Sequence, residues 1–278
     1  MSNKSAVVKL LWLIFFLVMP SIACEQGNRF HGMVSLAPIK KIPESVWRKL
    51  DSKKIYFGHQ SGGKSIIEGL EYIKRDNPQI KLKIVTLSNA SELSRPMFAH
   101  SDLGEDGDPH SKMKAFSDYL ENGIGNSADI AFFKFCYVDI NGSSDIEKLF
   151  TEYRTTMENL KKKYPRTRFI HVTVPLAASQ TALKAFVKRV LGKKDNNINR
   201  NRFNELLRQE YDGKEPLFDI AKAESTYPDG SRSSYVKGVG TYYSLATDYA
   251  DEGGHLNEQG RRAVAQDLLI LLAQLVQK

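Results

Sequence analysis

The chain has 278 residues, of which 41% are hydrophobic and 26% charged, and a formal net charge of +8 at pH 7. No internal repeat or low-complexity tract is visible, so a repeat array is excluded and one large α/β domain with a full core is expected. Lysines and arginines are scattered, with local runs at Lys161-Lys162-Lys163 and from Lys188 to Lys194. They read as solvated helix faces, with anionic glycan or phospholipid headgroups as the alternative, and nothing matches a nucleic-acid module.

Residues 1–23 read as a secretory signal peptide: Lys4 and Lys9, an apolar run from Leu10 to Met19, then the small-residue exit Ser21-Ile22-Ala23. No later run approaches the roughly 20 apolar residues that a membrane span needs. The reading is therefore an exported protein, periplasmic in a bacterium or otherwise secreted. Cys24 follows Ala23 directly and matches the cysteine of a bacterial lipoprotein cleavage box, apart from Ser21, where that box carries an aliphatic residue. Acylation of Cys24 with a membrane tether, and ordinary cleavage near Ala23, both stand. Removing Lys4 and Lys9 lowers the net charge from +8 to +6 over about 255 remaining residues. Residues 24–42 are read as a tether and 43–278 as the folded domain.

From Pro43 onward, strands and helices alternate. Pro43 opens a short helix through Leu50, KKIYF is a first strand, and GKSIIEGLEYIKR carries apolar residues at helical spacing. KLKIVTL reads as a second strand, followed by an irregular segment and a helix, SKMKAFSDYLENG, ending at Gly123. ADIAFFKFCYV reads as a long third strand, apolar on both faces as a central parallel strand is. A helix from about Ile146 to Tyr164 stops before Pro165, and TRFIHVTV makes strand four. NRNRFNELLRQEY is helical, PLFDIA a fifth strand, and a last helix runs from about Glu258 to the end. This alternation predicts one three-layer α/β/α domain with a mostly parallel five-stranded sheet, whose sites form at the carboxyl ends of the strands.

Two motifs carry chemistry. IYFGHQSGGKS places Ser61 in a glycine-rich turn between a strand and a helix, the position of an activated nucleophile. The same stretch, through Gly58, Gly63, Lys64 and Ser65, also satisfies the G-x-x-x-x-G-K-[ST] phosphate loop, with Asp139 standing where a magnesium-holding aspartate would. An exported protein meets little ATP, which weighs against that reading. The second motif, DEGGHLNEQG, sets His255 before the final helix, with Asn257 as its N-cap and Glu258 in its first turn.

With these residues in hand, the chain resembles the SGNH (GDSL-type) serine hydrolase superfamily over most of residues 50–278. That family places a serine just after strand one and closes with an Asp-x-x-His segment before the final helix. The resemblance implies a flavodoxin-like sheet, Ser61 as nucleophile, His255 as base, an acid that orients it, and no metal or organic cofactor. It implies hydrolysis of an ester; export and the tyrosine-rich segment from Glu224 to Gly254 make O-acetyl groups on a glycan the first choice of partner, with a lipid or small ester as the alternative. Three departures stand out. At the three-residue spacing before His255 lies Glu252, preferred as the acid, with Asp251 as the alternative. His59-Gln60-Ser61-Gly62 replaces the usual block around the serine. The third block aligns as Cys136-Tyr137-Val138-Asp139, where Val138 has no side-chain donor. The replacement oxyanion donors are the backbone N–H groups of Ser61 or Gly62, those of Gly104 or Gly107 in HSDLGEDGDPH, and Asn141. A hydrolase-derived glycan-binding protein that lost activity through this block is the second reading.

Several residues have plainer roles. His59 is expected as a hydrogen-bonding scaffold, with pocket lining or base as alternatives. His100 and His110 flank the acidic loop and are placed at the border of the site. His171 and Cys136 are read as packing, a Cys24–Cys136 disulfide being formally allowed. The acidic loop fails the calcium-loop template at Gly104 and Met113. Glu224 to Gly254, with Tyr227, Tyr235, Tyr242, Tyr243 and Tyr249, is the expected substrate cover, some of its tyrosines pinning it to the body.

Overall fold

The computed structural model describes residues 31–179 and 195–277. The leader and Cys24 lie outside these. The compact unit starts at Gly32, earlier than expected from sequence. Helix α1 (Ala37–Lys40) buries Ile39 completely, and Val34, Leu36 and Ile42 pack on the same core, so this part of the expected tether belongs to the fold. Helix α2 (Glu44–Asp51) then buries Val46, Trp47 and Leu50 at helical spacing.

The main sheet has six strands: β1 (Lys54–His59), β2 (Ile84–Thr86), β3 (Met97–Asp102), β4 (Ile130–Phe133), β5 (Arg168–Val172) and β6 (Leu217–Phe218). Their order is β2-β3-β1-β4-β5-β6, and every pairing is parallel. The expectation of five strands is corrected by β3, which lies in the segment read as irregular. Its sequence hides it: Met97, Phe98 and Ala99 are apolar, but the next residues, His100 and Ser101, are polar and make cross-strand bonds. Ser101 Oγ bonds Tyr56 Oη at 2.8 Å and His100 Nδ1 lies 3.0 Å from His59 Nε2. The third predicted strand is shorter than expected. It stops at Phe133, because the chain turns into a 3-10 segment over Tyr137–Asp139, whose Asp139 carboxylate takes the Cys136 N–H at 2.7 Å.

Alternate strand residues feed two cores, one on each face of the sheet. Ile55, Phe57, Phe98 and Phe132 join α2, α3 (Gly63–Asp76) and the final helix α8 (Glu258–Gln277). Tyr56, Ala99, Ala131 and Phe133 face α4 (Pro109–Tyr119), α5 (Ile146–Lys163) and α6 (Asn196–Tyr211). Asp108 caps α4 through the His110 and Ser111 N–H groups. After α6 and β6 come α7 (Ile220–Ser225) and an antiparallel hairpin of β7 (Ser234–Lys237) and β8 (Gly240–Tyr243), inside the segment for which sequence offered no period.

Because β1 is central, with β3 on one side and β4 on the other, the chain reverses its winding direction there. Its carboxyl end is the crevice where such sheets hold ligands. The layer behind that crevice depends on α3 lying very close to α8. A Cβ built on Gly69 of α3 lies 2.2 Å from the Arg261 carbonyl oxygen and 2.8 Å from Ala265 Cβ. Gly69→Ala therefore sets a helix-propensity gain of about 1 kcal/mol against an overpacking cost of about 1–3 kcal/mol. The urea midpoint should fall with little change in slope; a variant as stable as the parent would mean that the two helices part freely.

Candidate functional site

Directly after β1 the backbone does something rare for a residue with a side chain. Ser61 has φ +45°, the only positive φ on a non-glycine among the described residues, and its side chain is exposed. This left-handed conformation costs about 1–2 kcal/mol and persists only where the surroundings impose it. The surroundings are visible: the Gly63 N–H donates to Gln60 O at 3.1 Å and the Lys64 N–H to Ser61 O at 3.0 Å, closing the turn into α3. Gly63 is required there, since a Cβ would sit 2.3 Å from His59 Cγ. Those two N–H groups are spent on the turn, and Asp139 is held by Lys112, so the loop lacks the open amide cradle and free aspartate of a phosphate site. The N–H groups of Ser61 and Gly62 meet no protein acceptor among the described residues.

His59 is a scaffold residue. It is buried, its Nε2 sits 3.0 Å from His100 Nδ1, and His100 Nε2 lies 3.2 Å from Thr86 Oγ1. Burial, with the neighbouring positive groups His100, Lys134 and Lys64, pushes its pKa down to about 3, so the ring is neutral at neutral pH. One assignment fits the three side chains: the Thr86 hydroxyl donates to His100 Nε2 and the His100 Nδ1–H to His59 Nε2, which leaves the buried His59 Nδ1–H without a hydrogen-bond partner, Asp102 Oδ1 standing 3.7 Å away. His110 stands apart, paired with Glu152 at 3.0 Å. His171 is buried beneath Tyr211 at a ring distance of 3.5 Å.

The closing motif reaches the same place. His255 lies in a turn just before α8 and is half exposed, and Asn257 caps the helix by accepting the Gly260 N–H at 3.0 Å. Gly254 and His255 line a cavity of about 40 Å³ together with Gly62, Ser65, Lys134 and Glu224. Ser61 and His255 make no hydrogen bond to each other, a separation that substrate often closes in such sites. Of the two acids, the one facing the imidazole is Asp251: its Oδ1 takes the His255 N–H at 2.9 Å and lies 3.9 Å from Nδ1. That backbone bond also lowers the Asp251 pKa. Glu252, preferred on spacing, is exposed and makes no contact with the ring, because the turn through Gly253-Gly254 folds back onto Asp251.

The proposed oxyanion donors divide. Gly104 is tied to the serine turn by the Gln60 amide, which donates to its carbonyl at 3.1 Å. Gly107 is not available, since its N–H donates to Asp139 Oδ1 at 2.8 Å. Asn141 is exposed, its Oδ1 accepts from the Ser143 N–H and hydroxyl in a local turn, and it is not among the residues that line the cavity. Cys136 is a free, buried thiol donating to Gln60 O at 3.1 Å, and burial raises its pKa. Two residues escaped sequence reasoning. Lys134 breaks the apolar run AFFKFCYV, and a lysine in a buried strand is a signal in itself. Glu224, buried at the end of α7, takes the Leu176 N–H and lines the cavity; no local pattern announced it. Tyr227 and Tyr249 are buried in the core, while Tyr235 bonds Asp195 at 3.0 Å and Tyr243 lies 3.4 Å under the Arg232 guanidinium. The wall this segment gives to the cavity is Glu224, Leu245 and Gly254 rather than its tyrosines.

The sequence matches no family model and no curated protein. Among solved structures, the fold is similar to a lipase/acylhydrolase from Enterococcus faecalis, at 12% identity and TM-score 0.45 over 81% of this chain and 94% of that one. It is similar to a carbohydrate acetylesterase family member from Sinorhizobium meliloti, at 14% identity and TM-score 0.44 over 81% and 100%. It is also similar to the periplasmic domain of a lipopolysaccharide acetyltransferase from Salmonella ser. Paratyphi A, at 12% identity and TM-score 0.45 over 78% and 83%. These likenesses are of the fold alone.

Burial raises the Glu224 pKa from 4.5 to about 8. The unfolded chain releases this proton near pH 4.5 while the folded chain keeps it to about pH 8, so this group disfavours the folded state progressively as pH rises through that window. Glu224→Gln keeps the acceptor for Leu176 and removes the titration. Its urea midpoint relative to the parent should therefore rise between pH 5 and pH 8; an equal difference at both would show that Glu224 is already ionised in the folded protein.

Proposed function

We propose that this chain is an exported serine esterase of the SGNH type, removing a short acyl group, with O-acetyl groups on a glycan as the preferred substrate. The observation that carries the reading is the strained, exposed Ser61 at the carboxyl end of the central strand, beside a cavity bordered by both Gly62 and His255. His255 takes the Ser61 proton as Oγ attacks the acyl carbon. Asp251 orients the imidazole, the alcohol leaves with that proton, and water repeats the sequence to free the acid. The Ser61 and Gly62 N–H groups face the developing oxyanion. A cavity of about 40 Å³ suits an acetyl group better than a long chain. The glycan preference rests on the export reading and on the tyrosine-rich segment that contributes Leu245 and Gly254 to the cavity wall.

The purified mature chain should hydrolyse 4-nitrophenyl acetate at least about tenfold faster than the octanoate, and a fluorophosphonate should label Ser61. Ser61→Ala should lower kcat by about four to six orders of magnitude in a folded protein. Ser61→Gly, equally inactive, should be no less stable than Ser61→Ala, because glycine accepts the positive φ. Absence of Ser61 labelling in the folded wild type would favour the glycan-binding reading, and an active Ser61→Ala would end the nucleophile assignment.

Export is inferred from Lys4, Lys9, the apolar run and the SIAC exit. Intact mass of the protein from membrane and soluble fractions should place the mature N-terminus at Cys24 or within a few residues, acylated in the membrane fraction if tethered. A chain beginning at Met1 in the cytoplasm would remove the leader.

A further inference from the structure

The third sequence block leaves this site without its side-chain oxyanion donor: Val138 offers none and is partly exposed to solvent, while Asn141 is engaged in its own turn. A buried basic side chain lies close by. Lys134 follows β4 directly and is 2% exposed. Its ammonium approaches only neutral acceptors, all at 3.4 Å: Gln60 O, Phe135 O and Cys136 Sγ. Among the described residues, no carboxylate lies within ion-pair distance of it; Lys112, the other buried lysine, has Asp139 at 2.8 Å. Burying a charge without a counter-ion costs several kcal/mol, so Lys134 is strongly disposed to attract an anion that enters beside it.

The place where that anion would sit is defined by the serine turn. Gln60, whose carbonyl Lys134 touches, immediately precedes Ser61, and the Lys134 Nζ lies 4.0 Å from the position a Cβ on Gly62 would occupy. Lys134, Gly62 and His255 border one cavity. An oxygen placed there, on an acyl carbon attacked by Ser61, meets the free backbone N–H groups from one side and the ammonium from another. On the esterase reading of this site, we infer that Lys134 is a catalytic residue, whose ammonium stabilises the tetrahedral oxyanion in place of the missing side-chain amide.

A charge matched to an oxyanion acts on the transition state more than on the neutral ester, so its signature lies in kcat. With 4-nitrophenyl acetate, Lys134→Met should lower kcat by about 10²–10³ while KM stays within about threefold. Affinity for phenylboronic acid, which forms an anionic tetrahedral adduct on serine, should fall in parallel. Lys134→Gln, which keeps neutral N–H donors, should fall between the two, and ethylammonium should partly restore kcat to Lys134→Ala. A merely structural lysine, clasping the Gln60 carbonyl, would instead lower the melting midpoint and leave the folded fraction with normal kcat and boronate affinity. A folded Lys134→Met or Lys134→Gln with kcat within threefold of the parent overturns the inference, as does a loss confined to KM. If Lys134→Met fails to fold, Lys134→Gln decides. Unchanged kcat in a Lys134 variant whose Ser61 still reacts with fluorophosphonate removes this inference alone, whereas absence of Ser61 labelling in the wild type removes the esterase reading beneath it.

Discussion

One buried carboxylate fixes the walls of the crevice. Asp139 accepts the Lys112 ammonium at 2.8 Å, the Gly107 N–H at 2.8 Å and the Cys136 N–H at 2.7 Å. Lysine and carboxylate are both fully buried, and Lys112 also holds the Glu105 carbonyl at 2.8 Å. Removing one member of such a pair strands the other and costs about 3–5 kcal/mol, so the arrangement is all or nothing. What it joins are the loops leaving β3 and β4, the two strands that flank β1. The Gln60 side chain grips Gly104 of the first loop, and its carbonyl receives Cys136 and Lys134 from the second. The left-handed turn at Ser61 is thus framed on both sides by segments whose spacing one ion pair sets. Asp139, expected as part of a catalytic block or as a magnesium holder, serves as the joint.

The parts of the fold legible in the sequence are those where burial follows a single period. β1, α3, α5 and α8 each present one apolar pattern and were placed within a few residues. β3 was missed because its second half carries polar side chains that bond across the sheet, and β4 was drawn too long because residues 134–136 stay buried after the strand ends. In the candidate site, the turn at Ser61 and the position of His255 before the last helix were legible from glycines and helix boundaries, which mark backbone geometry directly. The choice between Asp251 and Glu252 was not, since a three-residue spacing rule assumes an extended link, and here Asp251 N–H donates to His255 O at 2.8 Å and closes a tight turn. Roles that depend on which loop meets which, such as the loss of Gly107 to Asp139, are invisible before the loops are assembled.

The electrostatics of the crevice follow from where its ionisable groups are buried. His59 and His100 are both pushed toward the neutral form, chiefly by burial, and form a hydrogen-bonded pair rather than a charged one. Glu224 is likewise pushed toward neutrality by burial. Lys134, buried beside the serine turn, has no carboxylate within ion-pair distance among the described residues, so the inner wall carries a basic side chain without a counter-ion. That polarity suits chemistry in which negative charge develops on the bound group and fits poorly with a site for a cationic ligand.

The outer wall combines firm anchoring with a free tip. Leu245 N–H reaches the Ala177 carbonyl at 3.2 Å and Ala246 N–H the Glu224 carbonyl at 2.9 Å, while Tyr227 and Tyr249 sink into the core. Asn257 grips the Asp248 carbonyl at 2.8 Å and caps α8. Between these anchors the Asp251–Gly254–His255 turn is exposed, with Leu256 buried beneath it. His255, preceded by two glycines and held at its backbone by Asp251, thus stands half exposed on the cavity wall between two firmly anchored segments.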